Sequence, residues 1–264
     1  MTRPSVSIVI PARNETQTLP ALFHELRTVL PELEQTYSTE IIVVDDGSSD
    51  GTADLAASLG GRIVRNTGAH GKGRALAAGF AAAGGDILVM LDADYSHSPL
   101  ELPRFLDALS HPGVGLVVGS RMLGGTEEYT LIRTFGNIFL TISFAFCFGR
   151  VLTDALNGYK VFQREVIANY SFRSRHFEIE IELLAQTLRR GYGIVEIPSH
   201  ERARAGGEMK SRVLRHGPRF FIQILKERLR SGVRIRPPLT PMPKYTPVRL
   251  VSDTNVNAKP TRQP

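Results

Sequence analysis

The stretch Ile87-Leu88-Val89-Met90-Leu91-Asp92-Ala93-Asp94 runs five apolar residues directly into two carboxylates. A short apolar run of this length is typical of a strand buried inside a parallel sheet. Residues i and i+2 of a strand point the same way, so Asp92 and Asp94 are expected to face one site. Neighbouring carboxylates repel each other unless a cation lies between them, and oxygen ligands suit Mg²⁺ or Mn²⁺.

A metal ion that has few protein ligands usually takes substrate phosphates as its remaining ligands. The two carboxylates therefore predict a metal–diphosphate site. The alternative interpretation is a strand that ends in an ordinary Asp-rich turn, where aspartate is favoured for its hydrogen bonds to nearby backbone.

Strand-like and helix-like segments alternate through the first 120 residues. Apolar runs predict strands at 6–10, 41–44, 62–65, 87–91 and 115–119, and segments with helical spacing lie between them. This alternation predicts a mostly parallel, doubly wound α/β sheet. Ligands bind such sheets at the carboxyl ends of the strands. The charged residues found at those ends are Asp45, Asp46, Asp92, Asp94 and Arg121.

Composition bounds the remaining possibilities. The chain has 264 residues and one cysteine, Cys147, which excludes an internal disulfide and a cysteine-based zinc site. Eleven lysines and arginines lie between residues 202 and 236, against Glu208 and Glu227. Such a block suits nucleic acid, an anionic membrane surface or phosphate-bearing substrates. No segment has the roughly 20 apolar residues that a membrane-spanning helix needs.

Two common nucleotide-binding motifs do not fit. A dinucleotide fold needs Gly-x-Gly-x-x-Gly after the first strand, where this chain has Pro11-Ala12-Arg13-Asn14-Glu15. The run Gly68-Ala69-His70-Gly71-Lys72-Gly73 has the wrong spacing for a P-loop and lacks its metal-binding hydroxyl. Dehydrogenase and P-loop ATPase functions are therefore disfavoured.

Several motifs follow one another in a fixed order, at residues 7–11, 14–15, 43–52, 66–73, 92–94 and 119–121. Together they resemble an inverting family-2 glycosyltransferase. This resemblance implies the glycosyltransferase A fold, an α/β fold with a mostly parallel, doubly wound, Rossmann-like sheet and an acceptor-side helical region. Four later features resemble the dolichol-phosphate mannose synthase-like branch of polyprenyl-phosphate glycosyltransferases, at residues 133, 154–160, 196–198 and 202–210.

The resemblance assigns roles on the side of the nucleotide-sugar donor. It implies that the base and ribose are held by Pro11, Arg13, Glu15 and Asp46. It implies that Asp92, Ala93 and Asp94 hold the donor, with Asp92 and Asp94 binding Mg²⁺ or Mn²⁺ against its diphosphate. Arg202 and Lys210 match basic residues that close over that diphosphate. GDP-mannose is the commonest donor of the branch, although UDP-glucose and other donors occur on the same motifs.

On the acceptor side, Arg121 and Arg133 match positions that contact the phosphate of a polyprenyl phosphate and contribute to catalysis. A phosphate is already an anion near pH 7, so its attack needs no strong general base. A hydroxyl acceptor would need a carboxylate base within hydrogen-bond reach, and Asp154 is the candidate. Glu178, Glu180 and Glu182 are interpreted as helix-surface residues.

The resemblance and the apolar content also divide the chain. Residues 1–125 form the nucleotide-sugar-binding half, residues 126–236 form the acceptor-side and membrane-facing half of the same domain, and residues 237–264 are a predicted disordered tail. Segment 135–148 is too uniformly apolar for an ordinary surface helix. It predicts an interfacial helix on a membrane surface, although packing in a core or a homodimer interface is the alternative.

The expected location is the cytoplasm, with peripheral attachment to the cytoplasmic face of a membrane and, as a further possibility, a separate membrane-anchoring subunit. A soluble hydroxyl acceptor is the rival enzymatic hypothesis. Nucleic acid is not expected as a partner, because aromatic residues are not interleaved with the basic ones as stacking platforms require.

Overall fold

The computed structural model describes residues 3–128, 130–203 and 213–230. Seven strands form one sheet in the order β3-β2-β1-β4-β6-β5-β7. The strands are β1 (Ser5–Ala12), β2 (Ser38–Asp45), β3 (Arg62–Arg65), β4 (Ile87–Met90), β5 (Val114–Ser120), β6 (Lys160–Gln163) and β7 (Gly193–Pro198). The predicted strands and the α/β class are confirmed.

The helices are α1 (Leu19–Leu33), α2 (Thr52–Ser58), α3 (Lys72–Ala82), α4 (Leu102–Leu109), α5 (Arg121–Gly124), α6 (Leu131–Phe148), α7 (Ile179–Arg189) and α8 (Val213–Arg230). Two 3₁₀ turns lie at Pro99–Glu101 and Arg164–Ile167. The predicted tail and Lys210 lie outside the described residues.

Strand β4 lies near the middle of the sheet. It pairs with β1 in parallel and with β6 in antiparallel orientation. The side chains of β1 alternate between the two faces, so that Ile8 and Ile10 join one apolar cluster and Val9 joins the other. Strand β6 comes from the second half of the chain and lies between β4 and β5, so both halves build the same sheet.

Helices α6 and α8 pack against each other on one face of this sheet. Leu140, Phe144 and Phe148 of α6 are buried in the core, whereas Phe139 and Phe146 on its other face are exposed. The core alternative for segment 135–148 thus holds for one face of the helix, and the opposite face is an apolar surface. Among the described residues, no helix combines the length and the apolar content that crossing a membrane requires.

Candidate active site

The two aspartates lie immediately after β4, where two cavities meet. One cavity has a volume of about 370 Å³ and lies over the ends of β1 and β2; we call it the strand-end cavity. The other has a volume of about 140 Å³ and is walled by α6 and α8; we call it the helical cavity. Both cavities are lined by Lys72, Asp92, Asp94 and Phe177. The aspartates therefore stand on the boundary between two potential substrate sites.

The strand-end cavity collects the residues that the resemblance assigned to the donor. Pro11 and Arg13 come from the end of β1, and Asp46 follows the end of β2. Because these strands are parallel neighbours of β4, their carboxyl ends meet the aspartates at one edge of the sheet. The remaining lining residues are Ala12, Glu15, His70, Gly71, Ala75, Ala93, His176 and Arg219.

Asp46 holds one wall of this cavity in place. It accepts hydrogen bonds from the side chain of Asn66 at 2.6 Å and from the backbone N–H of Gly71 at 2.8 Å. Its neighbour Gly47 has φ +77°, and a Cβ there would lie 2.4 Å from the ring of His70. A glycine is therefore required at this turn. These bonds fix the loop that leads into α3 and carries Lys72.

Lys72 is a site residue that sequence reasoning missed. Its Nζ lies 2.8 Å and 2.9 Å from the two carboxylate oxygens of Asp92 and 3.1 Å from Glu180. Burial lowers the pKa of Lys72, but the charges of Asp92 and Glu180 outweigh it and leave the pKa above its ordinary value. The ammonium group is therefore a permanent cation on the boundary between the cavities.

Backbone at Gly158 closes around this ion pair. A Cβ at Gly158 would lie 2.4 Å from Asp92 Oδ2 and 3.0 Å from Lys72 Nζ. Glycine is therefore needed at this position for close approach, a role that its sequence context alone did not indicate.

The second aspartate has a different environment. Asp94 is buried and accepts hydrogen bonds from the backbone and the hydroxyl of Ser96, the latter at 2.6 Å. No group of three or more His, Cys, Asp and Glu side chains in the described ranges could hold a metal ion alone. Asp92 and Asp94, which line both cavities, nevertheless fit Mg²⁺ or Mn²⁺ whose coordination is completed by phosphate oxygens.

In the helical cavity, Arg121 makes a bidentate ion pair with Asp154. Its Nε lies 2.6 Å from Oδ2 and its Nη2 lies 2.9 Å from Oδ1, and Nη1 contacts Glu201 at 3.2 Å. Asp154 is fully buried and also accepts from the Arg121 backbone N–H and from Asn137. Burial raises the pKa of Asp154, but the Arg121 charge outweighs it and holds the pKa below its ordinary value.

The proposal that Asp154 acts as a general base is therefore wrong. Four donors occupy its two oxygens, which is the full acceptor capacity of a carboxylate. The role that the geometry supports is to orient Arg121 at the wall of the helical cavity.

Of three other predicted contacts, one lines neither cavity and two lie outside the described part of the structure. Arg202 is not among the lining residues; it pairs with Glu25 at 2.9 Å and stacks over the ring of Tyr95 at 4.7 Å. Arg133 lies in the first turn of α6, and its side chain lies outside the described part of the structure, as does all of Lys210. The roles of Arg133, Arg202 and Lys210 in phosphate binding stay predictions.

The interpretation of the carboxylates at the start of α7 as surface residues is wrong for two of them. Glu180 is buried against Lys72. Glu182 is fully buried and accepts from the backbone N–H groups of Arg173 and Ser174, each at 2.9 Å. The loop held in this way accepts a hydrogen bond from Gly73 through the Arg175 carbonyl. The signal in the sequence was the placement of both glutamates between isoleucines and leucines.

The chain is similar in sequence and fold to known proteins. Residues 7–171 match the family described as Glycosyl transferase family 2. The undecaprenyl-phosphate mannosyltransferase of Micrococcus luteus is 32% identical over 78% of this chain and 86% of that one. The polyprenol monophosphomannose synthase of Mycolicibacterium smegmatis is also 32% identical, over 72% and 75% of the two chains.

Among solved structures, this fold is similar to that of glucosyl-3-phosphoglycerate synthase from Mycobacterium tuberculosis in complex with Mn²⁺, UDP and glucosyl-3-phosphoglycerate. The TM-score is 0.66 at 26% identity, and the match covers 85% of this chain and 80% of the synthase. The matched family spans the strands, the loops and the twin aspartates from which the strand-end cavity is built, and the chain therefore belongs to glycosyl transferase family 2.

Proposed function

We propose that this glycosyltransferase moves a sugar, with mannose from GDP-mannose as the first candidate, from a nucleotide sugar to a polyprenyl phosphate at a membrane surface. The observation that carries the proposal is the position of Asp92 and Asp94 on the boundary of the two cavities. A donor in the strand-end cavity and an acceptor in the helical cavity would meet at these carboxylates.

The donor side offers what a nucleoside diphosphate requires. A divalent ion bound by Asp92 and Asp94 would act as a Lewis acid that neutralises the charge developing on the departing diphosphate. Lys72 supplies a fixed positive charge 2.8 Å from Asp92. Pro11 and Arg13 line the same cavity, and the resemblance assigns them to the base and ribose.

The acceptor side offers an arginine and an apolar surface. Arg121 lines the helical cavity in an orientation fixed by Asp154, and guanidinium groups bind phosphate through paired N–H donors. A phosphate held there attacks the anomeric carbon from the side opposite the departing diphosphate, which inverts its configuration. The phosphate is the nucleophile in its anionic form, so the full pairing of Asp154 is compatible with this chemistry.

Helix α6 lines the helical cavity through Asn137 and Leu140, and its opposite face is an exposed apolar surface. Phe135, Phe139 and Ile142 are more than half exposed, and Phe146 is 89% exposed. Aromatic side chains on a helix of this kind bury well in the headgroup region of a bilayer. The basic residues Arg228 and Arg230 in the last turn of α8 would favour an anionic leaflet. We therefore include peripheral attachment to the cytoplasmic face of a membrane in the proposal.

The decisive experiment is a transfer assay with purified protein. Radiolabelled GDP-mannose and, in parallel, UDP-glucose are incubated with a short polyprenyl phosphate and either Mg²⁺ or Mn²⁺, and the product is extracted into organic solvent. We expect label in the organic phase with one donor, and its loss in Asp92→Ala and in Asp94→Ala. Label that stays in water in every combination would refute the lipid acceptor.

A soluble phosphorylated acceptor is the second candidate. It is favoured by the likeness to the synthase that was solved with glucosyl-3-phosphoglycerate. The exposed aromatic face of α6 has no role in that reaction. Replacing the polyprenyl phosphate with phosphoglyceric acid, and separating the aqueous product from unreacted nucleotide sugar by anion-exchange chromatography, distinguishes the two candidates.

A further inference from the structure

Three basic side chains considered above for phosphate binding or for the site are already paired with carboxylates. Lys72 pairs with Asp92 and Glu180, and Arg121 pairs with Asp154 and Glu201. Arg202 pairs with Glu25 and lines neither cavity. A diphosphate that enters the strand-end cavity must therefore share these cations with protein carboxylates or find another one.

Arg219 differs from these three residues. It lies on α8, its side chain is exposed, and it lines the strand-end cavity together with Asp92 and His176. Within the described ranges it has no carboxylate partner at ion-pair distance. Arg219 thus lines the same cavity as the twin aspartates, and no carboxylate of the described residues lies at ion-pair distance from it. Its guanidinium is placed to receive an anionic group of a ligand.

The backbone that carries Arg219 is firmly anchored. On α8, Phe220, Ile224 and Glu227 form a buried face, one helical turn apart. Glu227 is fully buried and is bonded by the guanidinium of Arg189 on α7. Helix α8 is thereby held against the core, and the backbone of Arg219 has a fixed position beside the cavity.

The opposite face of α8 presents Ile222, Leu225 and Leu229 to solvent. Lys226 lies seven residues after Arg219, so it is on the same side of the helix two turns further on, and it lines neither cavity. Arg219 and Lys226 therefore carry the same charge and lie beside the same exposed apolar residues of α8. Only Arg219 of the two lines the strand-end cavity. This difference separates binding of a diphosphate from binding of lipid headgroups.

We propose that Arg219 is a donor-binding residue, whose guanidinium contacts the diphosphate of the nucleotide sugar from the same helix that faces the lipid. The inference rests on the proposed function and names a residue for its donor site. A guanidinium forms paired hydrogen bonds to phosphate oxygens, which a lysine at the same position cannot reproduce in full.

The test is calorimetric titration of GDP and UDP with Mg²⁺ into lipid-free wild-type protein, Arg219→Gln and Lys226→Gln. We expect Arg219→Gln to weaken the better of the two nucleotides by about tenfold, since one charge-assisted contact is lost. Lys226→Gln should bind as the wild type does, and Arg219→Lys should recover part of the affinity. Raising the salt concentration should narrow the difference, because the side chain is exposed.

The same variants are sedimented with anionic vesicles. Equal nucleotide affinity in wild type and Arg219→Gln would overturn the inference, and a loss of vesicle binding in that variant would assign Arg219 to headgroups instead. A wild-type protein that binds neither nucleotide would overturn the proposed function as well, so the two failures are distinguishable.

Discussion

Gly158 gives a sharp test of the geometry at the boundary of the cavities. In Gly158→Ala the new Cβ would lie 2.4 Å from Asp92 Oδ2, about 1 Å inside ordinary contact distance, so the carboxylate or the strand must retreat by that amount. Gly158 does not have a positive φ, so the backbone itself accepts alanine. The strain therefore falls on the Asp92–Lys72 pair.

A displacement of about 1 Å at a positioning group can lower a rate by about 100-fold, and we expect kcat/KM of Gly158→Ala to fall by that order. Steady-state transfer kinetics measure it, with the melting temperature checked alongside. Gly84→Ala is the matched control, because its Cβ would lie 3.4 Å from Glu40, which is ordinary contact. Full activity in folded Gly158→Ala would refute the claim that Asp92 must hold its position.

Three further changes test other parts of the structure. Asp154→Asn should lower the free energy of unfolding by about 3 kcal/mol in urea titrations, because a buried Arg121 charge loses its partner. Phe146→Ser should weaken sedimentation with anionic vesicles by about tenfold or more without changing the melting temperature, because the side chain is 89% exposed. Burial lowers the pKa of Lys160 from 10.5 to about 8. Between pH 8 and 10.5 the unfolded chain therefore binds more protons than the folded one, and the free energy of unfolding should rise with pH over this range. In Lys160→Met that rise should disappear from urea titrations run between pH 8 and 10.5.

The strands and the twin aspartates could be predicted because their signals are local. An apolar run followed by Asp92 and Asp94 marks a buried strand and the acidic residues after it within eight residues, although the strand ends at Met90 and Asp94 lies in the turn beyond it. The partners of buried charges could not be predicted in this way. Glu180 lies 108 positions from Lys72, and a glutamate near the start of a helix is ordinarily solvated, so the pattern alone favoured a surface position.

The same reasoning explains why Asp154 was misjudged. An acidic residue in a turn has the chemistry of a base, and only the fold reveals that Arg121, 33 positions away, occupies both of its oxygens. The roles of single carboxylates in this site are set by distant cations that pair with them. A sequence motif gives the type of group, whereas the sheet order decides which groups meet.

Charge balance in the strand-end cavity gives a physical reason to expect a divalent ion with the donor. Among the described residues, four carboxylates line it against three lysine or arginine side chains; they are Glu15, Asp46, Asp92 and Asp94, and Arg13, Lys72 and Arg219. Lys72 is also shared with Glu180, so the positive charge available to a ligand is smaller still. A diphosphate adds further negative charge beside these carboxylates, and charges of one sign at such short range repel strongly where little water intervenes. The arrangement therefore favours a donor that arrives with its own cation, and under the proposed function we expect the metal to contribute to donor binding as well as to the rate of transfer.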